Sequence, residues 1–290
     1  MPDIRLPPQA PTVPEPTQQA GFAGPTFEGE EVRRQRHRRV VSALVGLGFF
    51  CGALFVCPSP QFASTDPSNR IICREELPTA RRELLAAKLR AITGLAIQFD
   101  SNGALRLTSG EARGGSQTAR ELLRKALDGT RVLILEDASD RPDVVFARVV
   151  PGRLKHHSSA DPETYVVLID FTDFDHLLGD EAALRAFDVG WAFLHELDHV
   201  VNDLFDSTSP TETGECEAHI NVMRRELGLP VRSEYFYALF PGSERSEFRT
   251  RLARLAFDQK DATTKKRHRY WVMWDAAVVG GLTAQVATVR

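Results

Sequence analysis

Two histidines and a glutamate form the most reactive constellation in this sequence: residues 195–199 read His195-Glu196-Leu197-Asp198-His199. On a helix, side chains four positions apart lie one above the other, so both imidazoles can reach a single ion. Glu196, rotated by about 100° from His195, can reach a water held by that ion without binding the ion itself. An exposed, charged helix segment is the ordinary alternative for such a string. Against it stands the apolar run Val189, Trp191, Ala192, Phe193 and Leu194 that leads into the motif: imidazoles and a carboxylate carried into a core need partners, and a metal supplies them. Zinc (Zn2+) in a catalytic site takes three protein ligands and keeps a fourth position for water. The best third ligand is Glu217, 18 residues beyond His199 in Thr213–Leu229, a stretch with the pattern of a second helix ending at Gly228. Asn221 shares the face of Glu217 and is spaced to hydrogen-bond a liganding imidazole from behind. Glu215 and His219 compete with Glu217 from a face of their own.

An apolar strand, a helix carrying HELDH and a second helix carrying Glu217 and Asn221 together resemble the zincin metallopeptidases, and among them the gluzincin type, over about 65 residues from Tyr165 to Leu229. The metzincin spacing HExxHxxGxxH is not met, because Asn202 and Phe205 occupy its Gly and His places. The resemblance implies zinc-assisted hydrolysis of peptide bonds in a peptide or protein substrate. Glu196 would be the general base, taking a proton from a zinc-activated water and later delivering it to the leaving amine. An oxyanion-stabilising donor is also needed; Tyr235, Tyr237 and His268 are available, although Tyr235-Phe236-Tyr237 also reads as a packed aromatic edge.

The elements that must position these residues are those of an α+β domain: a zincin-like catalytic domain in which a mixed sheet supports the HExxH helix and the ligand helix after it. Helical spacing predicts a helix over 79–93, and Ser101-Asn102-Gly103 predicts a hairpin between strands 97–99 and 105–107. A helix over 117–127 precedes strands over 131–135 and 144–150. Tyr165–Phe171, YVVLIDF, is the clearest strand in the chain. Asp180 caps a helical pattern that continues to about Asp203, with a bend near Gly190, and its middle is apolar nearly all round, as in a core helix. Val272–Val289, broken by Gly280-Gly281, reads as a core helix or strand pair.

The catalytic domain occupies residues 75–290 on this reading. Before it, the chain reads as a Pro-rich disordered cytoplasmic tail (1–32), a basic flank (33–39) with five arginines, a transmembrane anchor (40–57) and a linker (58–74). The 40–57 stretch has no charged residue and as a helix would be about 27 Å long, close to the hydrocarbon thickness of a bilayer. The arginines before it orient the N-terminus to the cytoplasm and the catalytic domain outside, in a single-pass membrane protein. Four cysteines without CxxC spacing exclude redox motifs and zinc ribbons; a Cys57–Cys73 bridge is sterically open, Cys216 reads as a packing residue, and His156 and His157 read as solvated. A net charge of −3, from 36 Lys and Arg against 39 Asp and Glu, removes the electrostatic case for nucleic acid. The competing function is a non-catalytic, membrane-tethered zinc-binding or scaffold domain that keeps a zincin-like fold.

Overall fold

A computed structural model of the protein describes residues 70–281 other than 109, 140, 153–161, 210–211 and 240–251. The first sheet runs in the order β1 (Ile71–Cys73), β4 (Val132–Asp137), β6 (Thr164–Ile169), β5 (Ala147–Pro151); the first three strands are parallel and β5 closes one edge antiparallel to β6. Between β1 and β4 come helix α1 (Thr79–Thr93), the short hairpin β2 (Ile97–Phe99) and β3 (Leu105–Leu107), and helix α2 (Gln117–Asp128). Side-chain alternation sends Leu133, Leu135, Val149, Val167 and Ile169 to the main core, while Leu168 joins a smaller cluster with Ala138 and Val144.

After β6 the chain forms α3 (Phe171–Asp175), β7 (Leu178–Gly179), α4 (Glu181–Ala186), α5 (Val189–Asn202) and α6 (Gly214–Glu226). A second, antiparallel sheet follows: β8 (Val231–Arg232) and β9 (Ala238–Leu239) pair with β10 (Leu252–Lys260), and β10 with β11 (Arg267–Asp275), whose other edge takes β7. Its inner face packs Leu255, Phe257, Val272 and Trp274 against Phe146, Ala183, Ala186 and Phe187.

Helix α5 is the centre of the fold. It contacts α1, α2, α6, β5 and β6, and Trp191, Phe193, Leu194, Leu197 and Val200 are all buried in its turns. Gly190 marks how closely it meets α1: a Cβ there would come within 2.8 Å of the Lys88 side chain and 3.0 Å of Ile92. The single helix expected from Asp180 to Asp203 is two helices. Phe187 is extended, and the Asp188 carboxylate accepts from the Gly190 and Trp191 N–H groups, starting α5 afresh.

The α+β class and the mixed sheets match expectation, but the transmembrane helix expected in front of them does not. Among the described residues no helix is long and apolar enough to cross a membrane; the longest, α1, has 15 residues, about 22 Å, and carries charged side chains on its exposed face. The 40–57 stretch that suggested a span lies outside the described residues, as do the tail, the basic flank, His156, His157 and Cys57. Cys73 is a buried free thiol in β1, and burial pushes it up to about 12. The 272–289 stretch continues β11 to Asp275 and then forms a short 3-10 turn at Val279–Gly281.

Because α5 meets the core on several sides, truncating it cannot be relieved by local collapse. Phe193→Ala should lower stability by about 3–5 kcal/mol, read as a reduced urea midpoint with an unchanged denaturant slope; a loss below about 1 kcal/mol would contradict the placement of Phe193 in the core.

Candidate metal centre

The HELDH residues occupy the second half of α5. His195 and His199 stand on one face with their rings 4.8 Å apart and nearly perpendicular. Immediately after the helix, Asp203 takes the left-handed conformation (φ 54°, ψ 33°), which Asp tolerates better than most residues. This reverses the chain and brings Asp206 back over the imidazoles. The returning loop is pinned to the start of α6: Asp206 bridges Gly214, and the Phe205 carbonyl accepts from the Glu215 and Cys216 N–H groups at 3.1 and 3.3 Å. Gly214 is required there, since its φ is +79° and a Cβ would lie 2.4 Å from the Ser207 nitrogen.

Asp206 Oδ1 lies 3.0 Å from His195 Nε2 and 3.3 Å from His199 Nε2. Ligands about 2.0–2.1 Å from a tetrahedral ion are separated from one another by roughly 3.3 Å, so these three atoms have the spacing of a metal triad. Together with Cys216 they form a group whose ligand atoms all lie within 4.8 Å of one another and that could hold a metal ion. Cys216 stands on the other edge of His195, with its Sγ 3.4 Å from Nδ1. Its thiol donates to the His195 carbonyl (3.3 Å), and burial pushes its pKa well up. The His199 tautomer follows from its partner: the Leu204 carbonyl, 2.7 Å from Nδ1, can only accept, which leaves Nε2 to face Asp206.

The remaining expected residues have other partners. Glu196 is buried, with the Val149 N–H of edge strand β5 donating to its carboxylate; burial raises its pKa, against the lowering influence of His195 and His199. Glu217, expected as third ligand, is almost fully buried but drawn away by two arginines. It is ion-paired with Arg224 and accepts from Arg232 at 3.0 Å, while its Oε2 comes to 3.5 Å from His195 Nδ1. Despite burial, those guanidinium charges hold its pKa below the ordinary value. Asn221 touches no imidazole: its amide donates to the Arg232 carbonyl at 2.8 Å and accepts from the Arg232 N–H at 2.9 Å, tying β8 to α6. Glu215 is exposed. His219 Nδ1 sits 2.8 Å from the buried carboxylate of Asp198, which also accepts from Asn202 at 2.5 Å.

Of the three candidate oxyanion donors, Tyr235 is in the site. Its ring stacks on His195 with centroids 6.3 Å apart, its hydroxyl bonds to Asp206, and burial followed by the Asp206 charge drives its pKa far up. Tyr237 packs on Trp274 instead, and His268 is exposed on β11 opposite Gln259. Asp206 was not anticipated. The HExxHxxGxxH spacing would put the turn at Asn202 and a ligand at Phe205; the chain instead reverses one residue later, at Asp203, and brings Asp206 to the imidazoles.

The charges of this cluster predict how it takes up metal. Burial lowers the pKa of His199, but its hydrogen bond to Asp206 and the charges of Glu196 and Asp206 outweigh it and raise the value from 6.5 to about 9. Burial opposes ionisation of Asp206 as well, yet the bonds from His195 and His199 hold it far below the ordinary carboxylate range. In the metal-free protein the protonated His199–Asp206 pair therefore contributes stability that is full below about pH 6.5 and is lost as pH rises through about 9. A divalent metal ion held here would need the neutral imidazole, so its apparent affinity should rise by roughly tenfold per pH unit toward pH 9 and then level off, with one proton released per ion near neutrality. Calorimetric titration in buffers of different ionisation enthalpy measures both; pH-independent affinity with no proton release is the contrary result.

No family model, curated protein or solved structure matches this chain.

Proposed function

We propose that this chain is a zinc-dependent metallopeptidase, hydrolysing peptide bonds of a peptide or protein substrate with Glu196 as general base. The observation that carries the reading is the convergence of His195 Nε2, His199 Nε2 and Asp206 Oδ1 at metal-ligand spacing beside a buried carboxylate one residue along the same helix. Three ligands of nitrogen and oxygen suit zinc with a position left for water. The ion, when bound, lowers the pKa of a coordinated water toward neutrality and polarises a carbonyl.

The chain's own groups carry the rest. Glu196, held in place by the Val149 N–H and raised in pKa by burial, accepts the proton of the attacking water. It then returns that proton to the leaving amine, a shuttle that works best when the carboxyl's pKa approaches the working pH. The Tyr235 hydroxyl stays protonated because its pKa is raised and donates to Asp206; were Asp206 to turn to the ion, the same O–H could be redirected to the oxygen that gains charge during attack.

One observation favours a second reading, a non-catalytic zinc-binding or scaffold domain: Cys216 belongs to the same potential ligand group, and a fourth protein ligand would close the position needed for water. The two differ at His195. Cys216 lies at its Nδ1 edge and Asp206 at its Nε2 edge, so an open site holds the ion on the Asp206 side and a closed one draws in the thiol as well.

The two readings separate in a pair of variants. In the peptidase, Glu196→Gln should keep zinc at one per chain and reduce turnover of a peptide library by at least about a thousandfold, while Cys216→Ser should leave zinc affinity within a few-fold of wild type. Stoichiometric zinc with no turnover in the wild-type chain, together with a large loss of affinity in Cys216→Ser, would establish the closed site instead.

A further inference from the structure

Glu217 lies too far from the Asp206 side of the imidazoles to complete the triad, yet it is one of the most deeply buried carboxylates in the protein, with 1% exposure. Burying a carboxylate is costly unless it is paired, and its partners are arranged around one imidazole. Oε1 is paired with Arg224, whose guanidinium also donates to the Ala186 carbonyl at 2.9 Å and lies over the Trp191 and Phe257 rings, 5.2 and 5.4 Å from their centroids. This anchors the carboxylate rigidly to the core. Oε2, so fixed, faces His195 Nδ1 at 3.5 Å and accepts from Arg232 at 3.0 Å.

Arg232 carries the connection further. Its Nε donates to the Glu234 carbonyl at 3.1 Å, its Nη2 donates to the Tyr235 carbonyl, and its guanidinium lies 4.9 Å from the centroid of the Tyr235 ring. That ring stacks on His195. One carboxylate oxygen thus meets the Nδ1 edge of the imidazole directly and its face through Arg232 and Tyr235.

We propose that Glu217 is a positioning residue: it holds the His195 imidazole with Nε2 turned toward the metal and, through Arg232, latches the 232–235 segment so that Tyr235 covers the same ring. The inference rests on the metallopeptidase reading for the identity of the ion, but its content concerns the imidazole and the latch. Where an ion takes the place of the Nε2 proton that now meets Asp206, an ionised Glu217, which can only accept, keeps the remaining proton of His195 on Nδ1, the tautomer that metal binding requires.

Cobalt(II) uptake by the full chain tests this independently of turnover, because visible d–d bands report coordination geometry. Glu217→Gln and Arg232→Met should each weaken cobalt affinity by about 10–100-fold and shift the bands, whereas Arg232→Lys should recover most of the affinity and the wild-type spectrum. Glu217→Gln leaves Arg224 buried without its anion and its folding can suffer; Arg232→Met keeps the Glu217–Arg224 pair and decides the matter in that event. If Tyr235 is held by the same carboxylate, Glu217→Gln and Tyr235→Ala should combine to less than the product of their separate losses; strictly multiplicative losses would remove Tyr235 from the arrangement. Folded variants that bind cobalt with wild-type affinity and bands would overturn the inference while leaving the metallopeptidase reading intact. A wild-type chain that takes up neither cobalt nor zinc would overturn both.

Discussion

The burial of α5 is the constraint on which the rest of this structure depends. A helix packed on several sides by α1, α2, α6 and the β5 edge gains its stability from Trp191, Phe193, Leu194, Leu197 and Val200, but the same burial removes water from two imidazoles and two carboxylates. Each of those groups must then be satisfied by something the fold brings to it. Asp198 is met by His219 and Asn202, Glu196 by the Val149 N–H, His199 by the Leu204 carbonyl and Asp206, and His195 by Asp206 and the carboxylate of Glu217. The partners come from the following loop, the following helix and the edge strand, so the local architecture around α5 is set as much by polar satisfaction as by apolar contact.

How far the sequence discloses this depends on whether a feature is local. The pairing of His195 with His199 is a matter of helical period alone, and the apolar run before it already marks α5 as buried. Tyr165–Ile169 declares itself as a strand by β-branched content. Asp206 was missed for a local reason too: a chain reversal can begin at any residue that tolerates the left-handed region, and Asp203 does so where Asn202 was tested. The long hairpin of β10 and β11 escaped because its strands mix small, charged and aromatic residues without clean alternation, and their identity comes from pairing across nine registers.

The pairing of Glu217 has a non-local cause. From its spacing it was as good a ligand as the sequence contained, and only the return of Arg232 on β8 and the side chain of Arg224 seven residues along α6 determine that it is spoken for. Two guanidinium groups around one buried carboxylate satisfy both of its oxygens with charge-assisted bonds. Asn221 is part of the same outcome, since its amide reads the Arg232 backbone through two hydrogen bonds and so places the guanidinium that claims Glu217. A residue expected to support an imidazole directly supports it through two intermediaries.

The charge pattern that results bears on what the site can hold. Behind His195, Glu217 with Arg224 and Arg232 makes a buried group of net positive sign; in front of it, Asp206 and Glu196 are acidic and lie against the imidazoles. With no cation between them, the front charges are answered by a proton on His199, and this is why that imidazole stays protonated to about pH 9. A dication bound there would take over the role of that proton beside Asp206. Cys216 enters this balance only weakly. Burial, and then the charges of Asp198 and Asp206, keep its thiol protonated, whereas Asp206, already ionised and at ligand distance from both imidazoles, can meet the ion without losing a proton. Of the four side chains that could hold a metal ion, the two imidazoles and Asp206 would thus need the smaller rearrangement of protons, and the thiol the larger.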